Sequence, residues 1–146
     1  MDFKNIWKVG LILLGVVLMK PMFAQSDLIF MGNDVTNSDL SFSYVKDVFK
    51  ARYSIWSNGK SITICLPASK SVHAEKVCRE IYDKSVKDVQ KFWLSIVFQG
   101  KAKSPYFFDT EKEMADFISK TPGAVGVITK SAGFNVPKNL IVKVNP

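Results

Sequence analysis

The sequence is poor in the residues that most often carry chemistry: one histidine, two cysteines and two arginines stand among its 146 residues. His73 has no cysteine pair and no carboxylate at ligand spacing beside it, apart from Glu75 two positions on. A metal role therefore lacks partners. It reads instead as a solvent-facing residue of a first helical turn. Cys65 and Cys78 are 13 positions apart, which excludes a C-x-x-C redox or zinc motif. Arg52 and Arg79 are isolated, so no arginine-rich block or recognition motif exists for nucleic acid. No Walker loop, nucleophile elbow or dinucleotide fingerprint occurs. Asp83, Asp88, Glu111 and Glu113 lie on helix faces beside lysines rather than as a converging acid–base pair. The chain reads as a non-enzyme with no cofactor.

Long apolar runs are also missing. Val9 to Met19 is an uninterrupted apolar stretch of 11 residues, whereas a spanning helix needs about 20. Lys4 and Lys8 precede it, Lys20 ends it, and Pro21-Met22-Phe23-Ala24 leads into Gln25. This pattern predicts a signal peptide over 1–24, cut after Ala24, and an exported, periplasmic domain over 25–146. The remaining 122 residues suit one domain. The leader carries three Lys and one Asp, so the net charge of +7 falls to +5. The lysines are scattered among acids, which reads as a solvated basic surface, with a field that also suits a small anion. After export the two cysteines meet an oxidising compartment. A bridge would contribute roughly 3 kcal/mol in the chain-entropy picture. Spacing leaves both a disulfide and two buried thiols open.

The domain is organised around Lys91 to Thr129. Phe92, Trp93, Ile96 and Val97 recur at helical spacing before a stop at Gly100. Thr110 looks like an N-cap with Glu113 completing a capping box, ahead of the stripe Met114, Phe117 and Ile118. Pro122-Gly123 breaks that helix, and Ala124 to Ile128 predicts a strand covered on both faces. Earlier, Asp27 to Met31 predicts a strand. A helix capped by Asp39 or Ser41 follows, carrying Phe42, Val45, Val48 and Phe49. Ser61 to Leu66 is a second strand, followed by a polar loop, a helix from about Val72 to Tyr82 and another from near Ser85. Tyr106 to Phe108 lies in a short aromatic strand, and Leu140 to Val144 is a last one. Alternating strands and helices predict an α/β fold: about five strands in a mostly parallel or mixed sheet, with helices on both faces.

In such sheets ligands sit beyond the carboxyl ends of the strands, near helix N-termini. That rule selects the loops Gly32 to Asp39, Pro67 to Ser71, and Asp109-Thr110. Candidate ligand contacts are Ser69, Lys70 and Ser71, which offer two hydroxyls and a charge beside free helix N–H groups. Asn33, Thr36 and Thr110 could add donors. The plainer readings are a polar helix cap for the serine loop, turn residues for Asn33 and Thr36, and a cap for Thr110.

Three elements in order resemble a family. Val48-Phe49-Lys50, Trp56-Ser57-Asn58-Gly59-Lys60 and the strand Ile62 to Leu66 form the first. Phe92-Trp93 to Phe98-Gln99-Gly100 is the second, and Thr121-Pro122-Gly123-Ala124-Val125-Gly126-Val127-Ile128 the third. Together they are similar to PstS-like periplasmic phosphate-binding proteins over roughly residues 27–130. The resemblance implies a single lobe of the type-II periplasmic-binding-protein fold, non-covalent recognition of a small anion with phosphate first, and an ABC transporter or sensor as the only route to a membrane. The matched motifs correspond to one of the family's two lobes, so an envelope protein or a second copy would complete the cleft. The glycines and the arginine–aspartate pair of the family's anion loop have no counterpart in Pro67 to His73. The alternative is therefore an envelope interaction module that has lost ligand binding.

Overall fold

The computed structural model describes residues 26–36 and 39–146. The expected signal segment, 1–24, lies outside them. Among the described residues, three of the four helices start on a hydroxyl that takes up one of the N–H groups a helix leaves unpaired at its beginning. Ser41 Oγ accepts from Tyr44 N at 3.2 Å and begins α1, Phe42–Phe49. Ser85 Oγ accepts from Asp88 N at 3.2 Å and begins α3, Val86–Phe98. Thr110 Oγ1 accepts from Glu113 N at 3.2 Å and begins α4, Glu111–Lys120. The exception is α2, Ala74–Tyr82, whose N-cap His73 makes no side-chain capping bond.

The main sheet has five strands: β1 Leu28–Gly32, β3 Thr63–Pro67, β4 Tyr106–Phe108, β5 Ala124–Thr129 and β6 Ile141–Val142. Their order is β4-β3-β5-β1-β6. β3 runs parallel to both β4 and β5, while β1 runs antiparallel to β5 and to β6. The α/β architecture expected from the alternating pattern is therefore present. Every residue of β5 is buried, as its unbroken apolar run requires of a central strand covered on both faces.

The two faces carry different layers. Strand alternation sends Phe30, Ile64, Leu66, Val125 and Val127 to one side, where α1, α2 and α3 cover them. Met31, Cys65 and Ile128 point to the other, under Met114, Ala115 and Ile118 of α4 and Leu140. The three-helix layer is tied by a buried polar chain: Trp93 Nε1 donates to Tyr82 Oη at 3.2 Å, and Tyr82 Oη donates to Phe49 O at 2.8 Å. Burial pushes the Tyr82 phenol upward, so it stays a donor.

One sequence expectation changes and one open question closes. Leu140 to Val144 is not one strand. Leu140 closes a 3-10 turn, Ile141–Val142 joins β1, and β7 (Val144–Asn145) pairs in parallel with β2 (Leu40–Ser41) in a separate two-stranded sheet. The chain crosses between the sheets at Lys143, whose carbonyl accepts from Leu40 N at 3.2 Å. The cysteine question also resolves. Cys65 belongs to the α4 side of the sheet and Cys78 to the three-helix side, so β3 stands between two free thiols. Among the described residues, no helix is long and apolar enough to cross a membrane.

Candidate functional site

The carboxyl ends of β3, β4 and β5 share one edge of the sheet, as the pairs Pro67 with Phe108 and Leu28 with Thr129 locate it. The loops leaving that edge lead into α2 and α4. Between them lies a crevice lined by Pro67, Ser71, His73, Asp109, Thr110 and Glu111, floored by Met114 and Ile128. The apolar floor is the α4-side core seen end-on, so the polar groups at the rim are held by packed strands and helix starts.

Hydrogen bonds set the rim. Ser71 N donates to Ala68 O at 2.8 Å, and Ala68 N to Phe108 O at 2.8 Å, which joins the serine loop to β4. Ser71 Oγ accepts from His73 N at 3.3 Å. His73 Nδ1 and Thr129 Oγ1 are 2.9 Å apart, and Ser131 Oγ donates to Thr129 Oγ1 at 3.1 Å. Thr129 is fully buried, so this chain satisfies a hydroxyl that would otherwise be costly at the end of β5. Lys70 Nζ reaches Asp109 Oδ2 at 3.3 Å across the mouth. Both side chains are mostly exposed, and such pairs contribute little to stability, on the order of 0–1 kcal/mol. Its effect is on the local field: the Asp109 charge is partly offset.

The structure does not gather the six residues selected from sequence in one place. Ser71 and Thr110 line the crevice, with Lys70 at its mouth. Ser69 instead lines a groove on the three-helix side, with Trp93, Leu94, Val97 and Phe107. Asn33 and Thr36 stand at the opposite end of the sheet, because β1 runs antiparallel and its carboxyl end meets the start of β5. There Asn33 Nδ2 donates to the carbonyls of Ile118 and Ser119 at 3.0 and 3.1 Å, closing the end of α4. Thr36 Oγ1 lies 3.4 Å from Ser57 Oγ. Thr110 spends its hydroxyl on the cap of α4.

His73 corrects the sequence reading in the other direction. It is half-buried at the crevice rather than turned to solvent, and its partner Thr129 is 56 positions away. No local spacing signals such a contact. The only hint in sequence is the polar Thr129 ending an otherwise apolar run.

The crevice itself is small, about 10 Å³, room for roughly one water. An anion larger than that must sit at its mouth, near the start of α2, which has no side-chain cap but whose Ala74 N already donates to Ser71 O at 3.1 Å, and near Lys70, whose charge is shared with Asp109.

Neither a family model nor a curated protein matches the sequence. The fold does match solved structures. An ABC-type phosphate transport receptor from Vibrio cholerae superposes with a TM-score of 0.60 at 15% identity, over 81% of this chain and 46% of the receptor. PstS from Borrelia burgdorferi gives 0.51 at 14% identity, over 82% and 47%. The α/β fold expected from the resemblance is thus shared with these two proteins. The chain spans about half the length of each.

Proposed function

We propose that this protein is an exported, lobe-sized binding protein for a small anion, with phosphate the first candidate. The observation that carries the reading is the meeting of the uncapped α2 start, Ser71 and Lys70 at the carboxyl edge of the sheet. The likeness to two phosphate receptors supports it at the level of fold. An anion at the mouth takes hydrogen bonds from the first-turn N–H groups of α2 beyond Ala74, whose N–H is held by Ser71 O, and from the Ser71 hydroxyl, while Lys70 turns from Asp109 to the ligand. Because this surface is open on one side, binding is weak, or is completed by an envelope partner or a second copy. The protein would then feed an ABC transporter or sensor.

Isothermal titration of the purified protein with phosphate, with sulfate as a control, tests this. Saturable heat that disappears in Lys70→Glu is expected. Phosphate affinity unchanged by Lys70→Glu sinks the site. A second reading, an envelope interaction module without a ligand, is favoured by the crevice's volume of about 10 Å³. No heat with either anion at millimolar concentration would select it.

A further inference from the structure

α3 turns two different faces to its surroundings. Val89 and Trp93 are buried against the core. The outward face runs Lys87, Lys91, Leu94 and Phe98, spaced four, three and four apart, so they share one side of the helix. Leu94 is 72% exposed and Phe98 90% exposed, which is unusual for side chains of that size on a basic helix. Beside this ridge lies an open groove of about 420 Å³, walled by Trp93, Leu94, Val97 and Phe107 with Gln90 and Ser104 at its rim. Phe107 comes from β4, an edge strand of the sheet, and is itself 47% exposed.

The charge around the groove is mostly positive, with Asp88 the one acid of α3. Lys87, Lys101 and Lys103 have no carboxylate in ion-pair reach among the described residues, and Lys91 has only Asp88 at 4.0 Å. Lys101 and Lys103 follow Phe98 closely and lead into Ser104 on the groove wall. An apolar cleft wide enough for two or three side chains, set among unpaired lysines, is complementary to one kind of occupant. We propose that the α3 face and its groove dock an acidic amphipathic segment of a partner protein, its apolar residues entering between Leu94 and Phe107 and its carboxylates meeting Lys87, Lys101 and Lys103. The concavity favours an inserted side chain over a flat lipid surface, and the net positive charge disfavours a second copy meeting itself face to face. The surface does not depend on the anion site, since neither Leu94, Phe98 nor these lysines line the crevice.

The test uses the whole protein and a labelled synthetic helical peptide with Leu at every third and fourth position and Glu elsewhere. A counterpart with Lys in place of each Glu has the same apolar face. Anisotropy is expected to show saturable binding of the acidic peptide, roughly tenfold weaker in Leu94→Glu and several-fold weaker in the pair Lys101→Glu with Lys103→Glu. The basic peptide should bind at least about tenfold more weakly, and added salt should weaken the acidic one. All three positions are exposed, so the variants keep the fold, which circular dichroism checks. Equal binding of both peptides, or acidic binding indifferent to Leu94→Glu, overturns the proposal. So does absence of acidic-peptide binding, whether or not the protein partitions onto phosphatidylglycerol vesicles. Self-association dissolved by Leu94→Glu would assign the face to a second copy instead, and likewise overturns it.

Discussion

Replacing Gly123 by alanine should be among the most damaging single-methyl changes available to this protein. Gly123 has φ of +87°, and an alanine there meets the left-handed cost of about 1 kcal/mol. The steric cost is greater. A Cβ would stand 2.1 Å from the Ser61 carbonyl oxygen, which is backbone leading into β3 and cannot rotate aside. Relief requires moving a residue where three hydrogen bonds meet. Gly123 N donates to Asn33 O at 2.7 Å, Thr63 N to Gly123 O at 3.2 Å, and the buried Trp56 Nε1 to Gly123 O at 2.8 Å. Losing one or two of these costs about 1–1.5 kcal/mol each, so the total with the backbone cost is about 2–4 kcal/mol, against a usual stability of about 5–15 kcal/mol. Gly59→Ala is the control. Its φ is +82°, but nothing lies within 4 Å of the added methyl, so only the left-handed backbone cost of about 1 kcal/mol applies. Urea unfolding followed by tryptophan fluorescence should place Gly123→Ala about 1–3 kcal/mol below Gly59→Ala, with unchanged m. Equal losses in the two variants would refute the steric account, because backbone conformation alone would then explain both.

Other expectations follow from the same contacts. Asn33→Ala should cost about 1 kcal/mol in urea unfolding through the lost closure of α4, while leaving any phosphate titration unchanged; a weakened titration would return Asn33 to the binding surface. Oxidant should leave both thiols free, so intact mass that falls by two hydrogens without forming dimers would contradict their placement on opposite faces of β3. Burial pushes the Cys65 thiol up to about 12 and, with help from Glu75, the Cys78 thiol up to about 11, from an ordinary value of 9.0. Their folded-state contribution is therefore complete below the unfolded value and is lost as pH rises through the folded values. Stability should decline above about pH 9, less steeply in Cys65→Ala; a wild-type urea midpoint flat to pH 11 would show that these thiols are accessible.

Local physics makes much of the fold legible. Ser85, Thr110 and Ser41 name the starts of three helices because a hydroxyl beside free N–H groups acts within one turn of chain. In sequence Asp39 is an equal candidate for the first of these caps. Its side chain instead pairs with Lys143, which holds its carboxyl below the ordinary value. α2 starts two residues later than the apolar pattern suggests, since no side chain caps it and Val72 is itself exposed. Half of the candidate site is legible for the same local reason: Ser71 and Lys70 lie in a loop that a strand and a helix bracket in sequence.

What the sequence determined alone is therefore whatever depends on neighbours three or four residues apart: the helices, the buried run of β5 and the turn at Pro122-Gly123. Direction and facing were decided only in the tertiary structure. β1 pairs antiparallel with β5, which carries Asn33 and Thr36 to the far end of the sheet from Ser71. The pleat of β3 puts Cys65 on the side away from Cys78. His73 finds Thr129 only because the start of α2 lies beside the end of β5. Strand order and sense are set by which apolar faces pack together, a sum over the whole core, and no single stretch of chain contains it.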